Sequence, residues 1–211
     1  MPRRALIPIF DPPRPRQAVA VIPGPPRRVA LLCGGHSLKE VWSEDKAKEY
    51  DLIVAVNGAC FLFSCDYAVV VDSPVVRKLL AIPERRPRIA LVTYAKAYLR
   101  EARAAKVALI TIENIPRKPD GNHNKSYSAP RALQFALKQC GPGGRVDLYG
   151  VDMSNAGHDV AGLKSHNNAL RWAQESECLR LVWDGRVGEV VGLLNSERLA
   201  FLRGERASWP G

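Results

Sequence analysis

The sequence predicts an α/β fold: a Rossmann-like, doubly wound, mostly parallel sheet with helices on both faces. Three observations predict it. Short apolar runs recur along the chain, and they are continuous rather than alternating, as in strands covered on both sides. Helical patterns separate them. Most of the runs end in glycine, asparagine or aspartate, the residues of tight turns at strand ends. The 211 residues suffice for one such domain with a full core. A content of 46% hydrophobic and 25% charged residues is ordinary for a globular chain.

Taken in order, the first segment is unlike the rest. Eight of the sixteen prolines fall within residues 1–26. Proline fixes φ and removes a backbone donor, so a regular helix or central strand is excluded there. Residues 1–27 are read as an extended Pro/Arg-rich arm and residues 28–211 as a single nucleotide-binding domain. Strands are expected at 29–33, 52–56, 67–71, 89–92, 107–112, 146–151 and 179–183. A short strand or turn from 187 and a helix near 195–202 close the chain.

The helices between the strands carry start signals. Ser37 and Glu40 have the spacing of a capping box, serine at the N-cap and glutamate at N3. Ser73 and Pro74 supply a cap and a first-position proline ahead of residues 75–80. Ser128 and Pro130 introduce a stripe of Ala129, Leu133, Ala136 and Leu137 at helical spacing. Ser165 precedes Ala169, Leu170, Trp172 and Ala173 in the same way.

The formal net charge is +10 and the isoelectric point about 9.6. Such a charge attracts phosphate-bearing partners, whether nucleotides, nucleic acid or anionic membranes, although a solvated basic surface has the same composition. No apolar run approaches the roughly 18–20 residues of a membrane span. The first ten residues lack the apolar core of a secretory signal, so a cytoplasmic protein is expected. Five cysteines, at 33, 60, 65, 140 and 178, are an odd number with no C-x-x-C pair. Buried, reduced thiols are expected, rather than zinc or a disulfide framework.

Open parallel sheets bind ligands in the crevice outside the carboxyl ends of their strands, so the residues after each run are the candidates. They are Gly34, Gly35, His36 and Ser37; Asn57 and Gly58; Asp72; and Asp152. Two glycines between a strand and a helix let the backbone approach a phosphate, and the helix start offers N–H groups. A plain tight turn looks the same. Asn57-Gly58 also suits a turn, since both residues accept positive φ. Asp72 and Asp152 could hold a ribose or a base. Ser126, Tyr127 and Ser128, in a polar loop before a helix, could donate to a phosphate or sugar, and Ser128 could equally be a cap. His158 and His166 have the proton affinity of a general base near neutral pH. There is no Walker motif, no G-x-G-x-x-G, no G-x-S-x-G, no H-E-x-x-H and no D-x-D. P-loop hydrolysis, NAD binding, an esterase elbow, a zinc protease and a dicarboxylate metal clamp all lose support.

Several of these pieces line up with a known family. Val29-Ala-Leu-Leu-Cys-Gly-Gly-His-Ser-Leu-Lys-Glu-Val41 resembles the opening of the bacterial sialyltransferases related to the Campylobacter lipooligosaccharide enzymes, where a strand runs into Gly-x-Gly-Pro-Ser-Leu. It looks equally like the 6-hydroxymethylpterin diphosphokinase-like family. Val54-Ala-Val-Asn57 is similar to the sialyltransferases' second strand. Tyr127-Ser-Ala-Pro-Arg-Ala-Leu-Gln-Phe-Ala-Leu137, followed by Val146-Asp-Leu-Tyr-Gly-Val-Asp152, is similar to their Ser-Gly helix and Gly-Ile-Asp strand. Ser165-His-Asn-Asn-Ala-Leu-Arg-Trp172 looks like the segment with their catalytic histidine. The departures are His36 in place of a proline, a histidine closer to its following helix, and no counterpart after Asp152 of the two tyrosines that hold the leaving phosphate.

The resemblance implies a metal-independent glycosyltransferase with a nucleotide-sugar donor, a CMP-sugar favoured, and no required cofactor. It implies nucleotide contacts at Gly35, Ser37, Asn57 and Ser128, and a general base at His166, or less well His158. The acceptor would be a glycan or a nucleic acid, and an oligomer is compatible with the sequence. Two alternatives stand beside this reading. One is an ATP-dependent diphosphokinase of the pterin type, which would need Mg²⁺ and the carboxylates of Asp72 and Asp152. The other is a non-catalytic nucleotide- or nucleic-acid-binding protein that uses the basic arm.

Overall fold

A computed structural model of the chain describes residues 27–70, 73–81, 88–91, 109–111, 127–153, 161–162, 169–183 and 185–191. Among them are seven strands: β1 (Arg28–Leu32), β2 (Leu52–Val56), β3 (Tyr67–Val70), β4 (Arg88–Leu91), β5 (Leu109–Thr111), β6 (Arg145–Tyr149) and β7 (Val187–Val191). They form one sheet in the order β5-β4-β3-β2-β1-β6-β7, and every neighbouring pair is parallel. The expected α/β class holds, and the strand starts agree with the apolar runs to within two residues for these seven. The continuity of the runs has a physical cause. Val29, Ala30, Leu31 and Leu32 are all fully buried although their side chains alternate between faces.

The helices are α1 (Leu38–Val41), α2 (Glu44–Ala47), α3 (Ser73–Leu80), α4 (Ser128–Cys140) and α5 (Ala169–Val182). One core joins Leu31, Val54, Val69 and Leu148 to Ala132, Leu133 and Phe135 of α4 and Leu179 of α5. The other joins Ala30, Leu32, Ala55 and Val70 to Leu38 of α1, Trp42, Ala59 and the α3 residues Val75, Val76 and Leu79. Helices therefore cover both faces, as expected. Each fully buried leucine among these contributes about 1.5–3 kcal/mol relative to exposure. Truncating one, Leu31→Ala for instance, would cost about 2–5 kcal/mol.

Four local expectations are corrected. Residues 179–183 are not a strand: 179–182 are the last turn of α5. Their apolar run is continuous because Leu181 and Trp183 stay exposed beside buried Leu179, and a pattern of residue types does not encode burial. The capping box at Ser37 does not form. Ser37 has φ −60° and ψ −18°, helical rather than extended, and makes no capping bond. Six residues on, Ser43 is extended and its Oγ accepts from Lys46 N at 3.2 Å, capping α2. Ser128 is not a cap either: it lies inside α4, behind Tyr127. Ser73 is likewise not a cap: α3 takes it in as its first residue and Pro74 as its second, and proline still fits a first turn because its missing N–H has no helical partner there.

The strand order creates one topological switch. The chain builds outward from β1 through β2, β3, β4 and β5, then returns to the other side of β1 to add β6 and β7. The crevice such a reversal leaves at the carboxyl ends lies between β1 and β6. Residues 1–26 of the arm and the helix expected near 195–202 lie outside the described residues. Among the described residues, no helix is long and apolar enough to cross a membrane.

Candidate functional site at the switch point

The switch brings together three chain segments. The turn after β1 carries Gly34, Gly35, His36 and Ser37. The end of β6 carries Gly150, Val151 and Asp152, and β2 ends in Asn57. The β1 turn is tied directly to β6: Cys33 N donates to Tyr149 O at 2.8 Å and Gly35 N to Gly150 O at 2.9 Å. Gly35 is needed for that approach, because a Cβ there would overlap the Gly150 carbonyl and the Asp152 carboxylate.

Asp152 and Ser37 form the tightest polar contact of the site. Ser37 N donates to Asp152 Oδ2 at 2.7 Å, and Ser37 Oγ donates to Asp152 Oδ1 in a short hydrogen bond. Both residues are buried, at 3% and 4% exposure. The serine that local spacing assigns to a helix cap is held instead by a carboxylate 115 positions away. Both residues were expected in the site, and the fold joins them.

On the other side of β1, Asn57 Nδ2 donates to Ser128 Oγ at 2.9 Å, linking the end of β2 to the first turn of α4. Asn57 opens a 3-10 turn, Asn57–Phe61, which also contains Gly58. Its φ is +46°, and its carbonyl accepts from the Cys60 thiol at 2.8 Å. Asparagine tolerates this left-handed region better than most residues. Met153, just past Asp152, has φ +45° without that tolerance. Two left-handed non-glycine residues therefore stand at the ends of β2 and β6. Backbone strain of this kind concentrates at functional sites.

The helix α5 packs on α4 next to these residues and adds polar groups that sequence reasoning missed. Tyr127 Oη donates to Gln174 Oε1 at 2.7 Å. The Arg171 guanidinium lies 5.7 Å from the Tyr127 ring centroid, and its Nε is 3.8 Å from Glu175 Oε2. Burial pushes the Tyr127 hydroxyl pKa up, with Glu175 and Cys178 adding to it and Arg171 opposing. Burial also pushes the Cys33 thiol well up, and the charges of Glu175 and Asp152 push the same way. Cys33 at the end of β1 thus senses both carboxylates. Arg131, on the same helical face as Ser128 and Phe135, is 1% exposed. Arg131 stands on the face away from the expected stripe of Ala129, Leu133, Ala136 and Leu137, so nothing local marks it as buried. Nothing local flags Gln174 or Glu175 either, because the register of α5 against α4 is set by packing alone.

Asp72, Ser126, His158 and His166 lie outside the described residues. Among the described residues no group of three or more His, Cys, Asp or Glu is arranged to hold a metal ion. None of the five cysteines is in a disulfide, and all but Cys65 are buried. No protein family, curated protein or solved structure gives a significant match to the chain.

Proposed function

We propose that this crevice binds a nucleotide and that the protein is a transferase, moving a sugar from a nucleotide-sugar donor, a CMP-sugar favoured, to an acceptor hydroxyl. The observation that carries the reading is the Asn57–Ser128 bridge at the end of β2, one strand from the topological switch. An amide and a hydroxyl from separate segments meet at the start of a thirteen-residue helix, in the crevice where open parallel sheets bind nucleotides. The Tyr127 side chain at the N-cap of α4 makes no capping bond, so the first-turn N–H groups are not satisfied from that residue. Buried Arg131 adds positive charge to the same turn. A net charge of +10 favours an anionic ligand in general.

In this reading the acceptor oxygen attacks the anomeric carbon in line. The bond from that carbon to the phosphate oxygen breaks, and the nucleotide leaves with the electron pair. The acceptor proton passes to His166, or less well to His158; both lie in sequence between Met153 at the end of β6 and the start of α5. The helix start and Ser128 stabilise the departing phosphate, and one well-placed donor of this kind is worth about 3 kcal/mol in the transition state.

The test is a thermal-shift screen against CMP, CDP, UDP, GDP, ADP and ATP, each with and without Mg²⁺. A ligand at about 100 times its dissociation constant adds about 2.7 kcal/mol. CMP should stabilise without metal, and Asn57→Ala and Ser128→Ala should each weaken the effect. Stabilisation by ATP alone, and only with Mg²⁺, would replace this reading by the diphosphokinase one. No shift with any nucleotide would refute it.

A further inference from the structure

We infer that Asp152 is a built-in anion that closes the β1 turn to phosphate, so that a nucleotide in this crevice keeps its phosphates away from the Gly-Gly-x-Ser segment and turns an uncharged part toward it. The inference deepens the nucleotide reading by stating which wall the phosphates avoid. It runs against what the sequence of that segment suggests, since glycines between a strand and a helix are the usual setting for a phosphate.

The case rests on five backbone donors between Cys33 and Lys39 and on the Ser37 hydroxyl. A phosphate-binding turn needs backbone N–H groups that point outward together. Here Cys33 N is given to Tyr149 O, Gly35 N to Gly150 O and Ser37 N to Asp152 Oδ2. Leu38 N and Lys39 N follow at 3.2 and 3.4 Å to Gly35 O and His36 O. The Ser37 hydroxyl is given to the second oxygen of the same carboxylate. One carboxylate therefore takes, two-pronged, the N–H and O–H that two phosphate oxygens would take. Gly35, which could have admitted a ligand, is pressed against that carboxylate instead. The helix that follows, α1, has only four residues and no macrodipole of consequence. A phosphate forced into the turn would face the buried carboxylate of Asp152. Like charges at such a separation repel strongly out of water. Asp152 is thus a positioning residue. It shapes the turn and fixes the polarity of the site without itself needing to meet the ligand.

The experiment is ¹H–¹⁵N NMR of the full chain, titrated with inorganic pyrophosphate and separately with CMP. In the wild type the Ser37 amide should stay in place with pyrophosphate. With CMP its change should be small beside those of Asn57 and Ser128. In Asp152→Ala the freed Ser37 N–H and Oγ should capture pyrophosphate, seen as a new Ser37 shift with affinity about tenfold or more above wild type. If Asp152→Ala does not fold, Asp152→Asn keeps the size and one acceptor while removing the charge; it frees one of the two Ser37 donors, so a smaller gain of the same sign is expected. A wild-type Ser37 amide that moves with pyrophosphate as strongly as Ser128 would overturn the inference. So would a folded Asp152 variant that gains no pyrophosphate response. If CMP binds nowhere, the nucleotide reading fails alone, because the pyrophosphate comparison between wild type and variant still decides this one.

Discussion

Asp147 offers the sharpest energetic test of the fold. It is fully buried in the middle of β6 and accepts four hydrogen bonds. Glu189 N donates to Oδ1 at 2.7 Å, while Arg28 Nε, Tyr50 Oη and Arg145 Nη2 donate to Oδ2 at 2.9, 3.0 and 3.2 Å. The Glu189 bond fills a bulge: Val146 pairs with Val187 but Leu148 with Val190, so β7 spends one extra residue opposite Asp147. Gly188 permits this, because a Cβ there would overlap Asp147 Oδ1. Asp147→Ala removes the acceptor for all four donors. Arg28 and Arg145, with side chains 30% and 52% exposed, can turn to water; Glu189 N and the Tyr50 hydroxyl have less recourse. Breaking one partner out of such a cluster costs about 3–5 kcal/mol, or about 6–20 °C in Tm for a chain of this length. The pH dependence carries a sign. Burial alone would raise the Asp147 carboxyl, but the bonds from Glu189, Arg28 and Tyr50, with the charge of Arg145, outweigh it and hold the pKa below the ordinary value. Its contribution is therefore complete above the unfolded pKa of about 3.9 and is lost as pH falls through the lower folded value. Urea denaturation followed by Trp fluorescence would measure this, with Trp42 packed against Tyr50 and Tyr149 as a near probe. A loss below 1 kcal/mol at pH 7, or wild type and Asp147→Ala losing stability in parallel between about pH 4 and 2, would refute the reasoning.

Other perturbations give distinct readouts. Gly35→Ala should destabilise by about 1–3 kcal/mol through overlap with Gly150 and Asp152, measured by chemical denaturation; a neutral substitution would mean that the β1 turn is not packed on β6. Ser37→Ala leaves Asp152 without its hydroxyl donor and should cost about 1–3 kcal/mol by the same assay, whereas a true helix cap lost from so short a helix would cost less. At pH 7 the cysteines of the native protein should react slowly with maleimide. Four are buried, and burial with the neighbouring Asp66 charge pushes the half-buried Cys65 thiol up to about 12. Denaturant should release five fast-reacting thiols, and rapid labelling of the native protein would contradict the packing. Tyr127→Phe removes the bond to Gln174 and should lower CMP affinity by about tenfold or less with little change in Tm, read by calorimetry.

Much of this architecture is legible in the sequence, and the limits have physical causes. The strands can be read because both faces are covered, so apolar residues run on without interruption. The ends of β1 and β2 can be read because Gly34 and Asn57 mark where those runs stop, whereas β6 stops at Tyr149, two residues before the expected end at 151. The α5 terminus is misread because exposed Leu181 and Trp183 mimic a buried run. Ser37 is misread because capping is inferred from neighbours three residues away, whereas the competing acceptor, Asp152, is 115 residues distant. The site shares that limit. Asn57, Ser128 and Asp152 could be chosen one by one, but that Asn57 meets Ser128 while Asp152 turns to Ser37 depends on how three separate segments converge. The α5 contribution is less visible still, since Gln174 and Glu175 have ordinary helical neighbours.

The position of β1 carries a consequence for how the chain acquires its shape. This strand pairs with β2, whose partners lie 23 residues along, and with β6, whose partners lie 117 along. Emerging from a ribosome, the first half can zip β1 to β2 and extend outward. The far side of β1 then waits as an unpaired edge of backbone N–H and C=O groups, on a strand with four fully buried apolar residues in the finished protein, until residue 149 is made. Pairings that distant are slow because loop closure precedes any gain from contact. An unpaired edge of that kind invites addition of a foreign strand. A chain interrupted before β6 would therefore lack half of the crevice and also expose the most adhesive strand of the sheet. Nascent chains stalled near residue 140 should depend on a chaperone that full-length chains can do without.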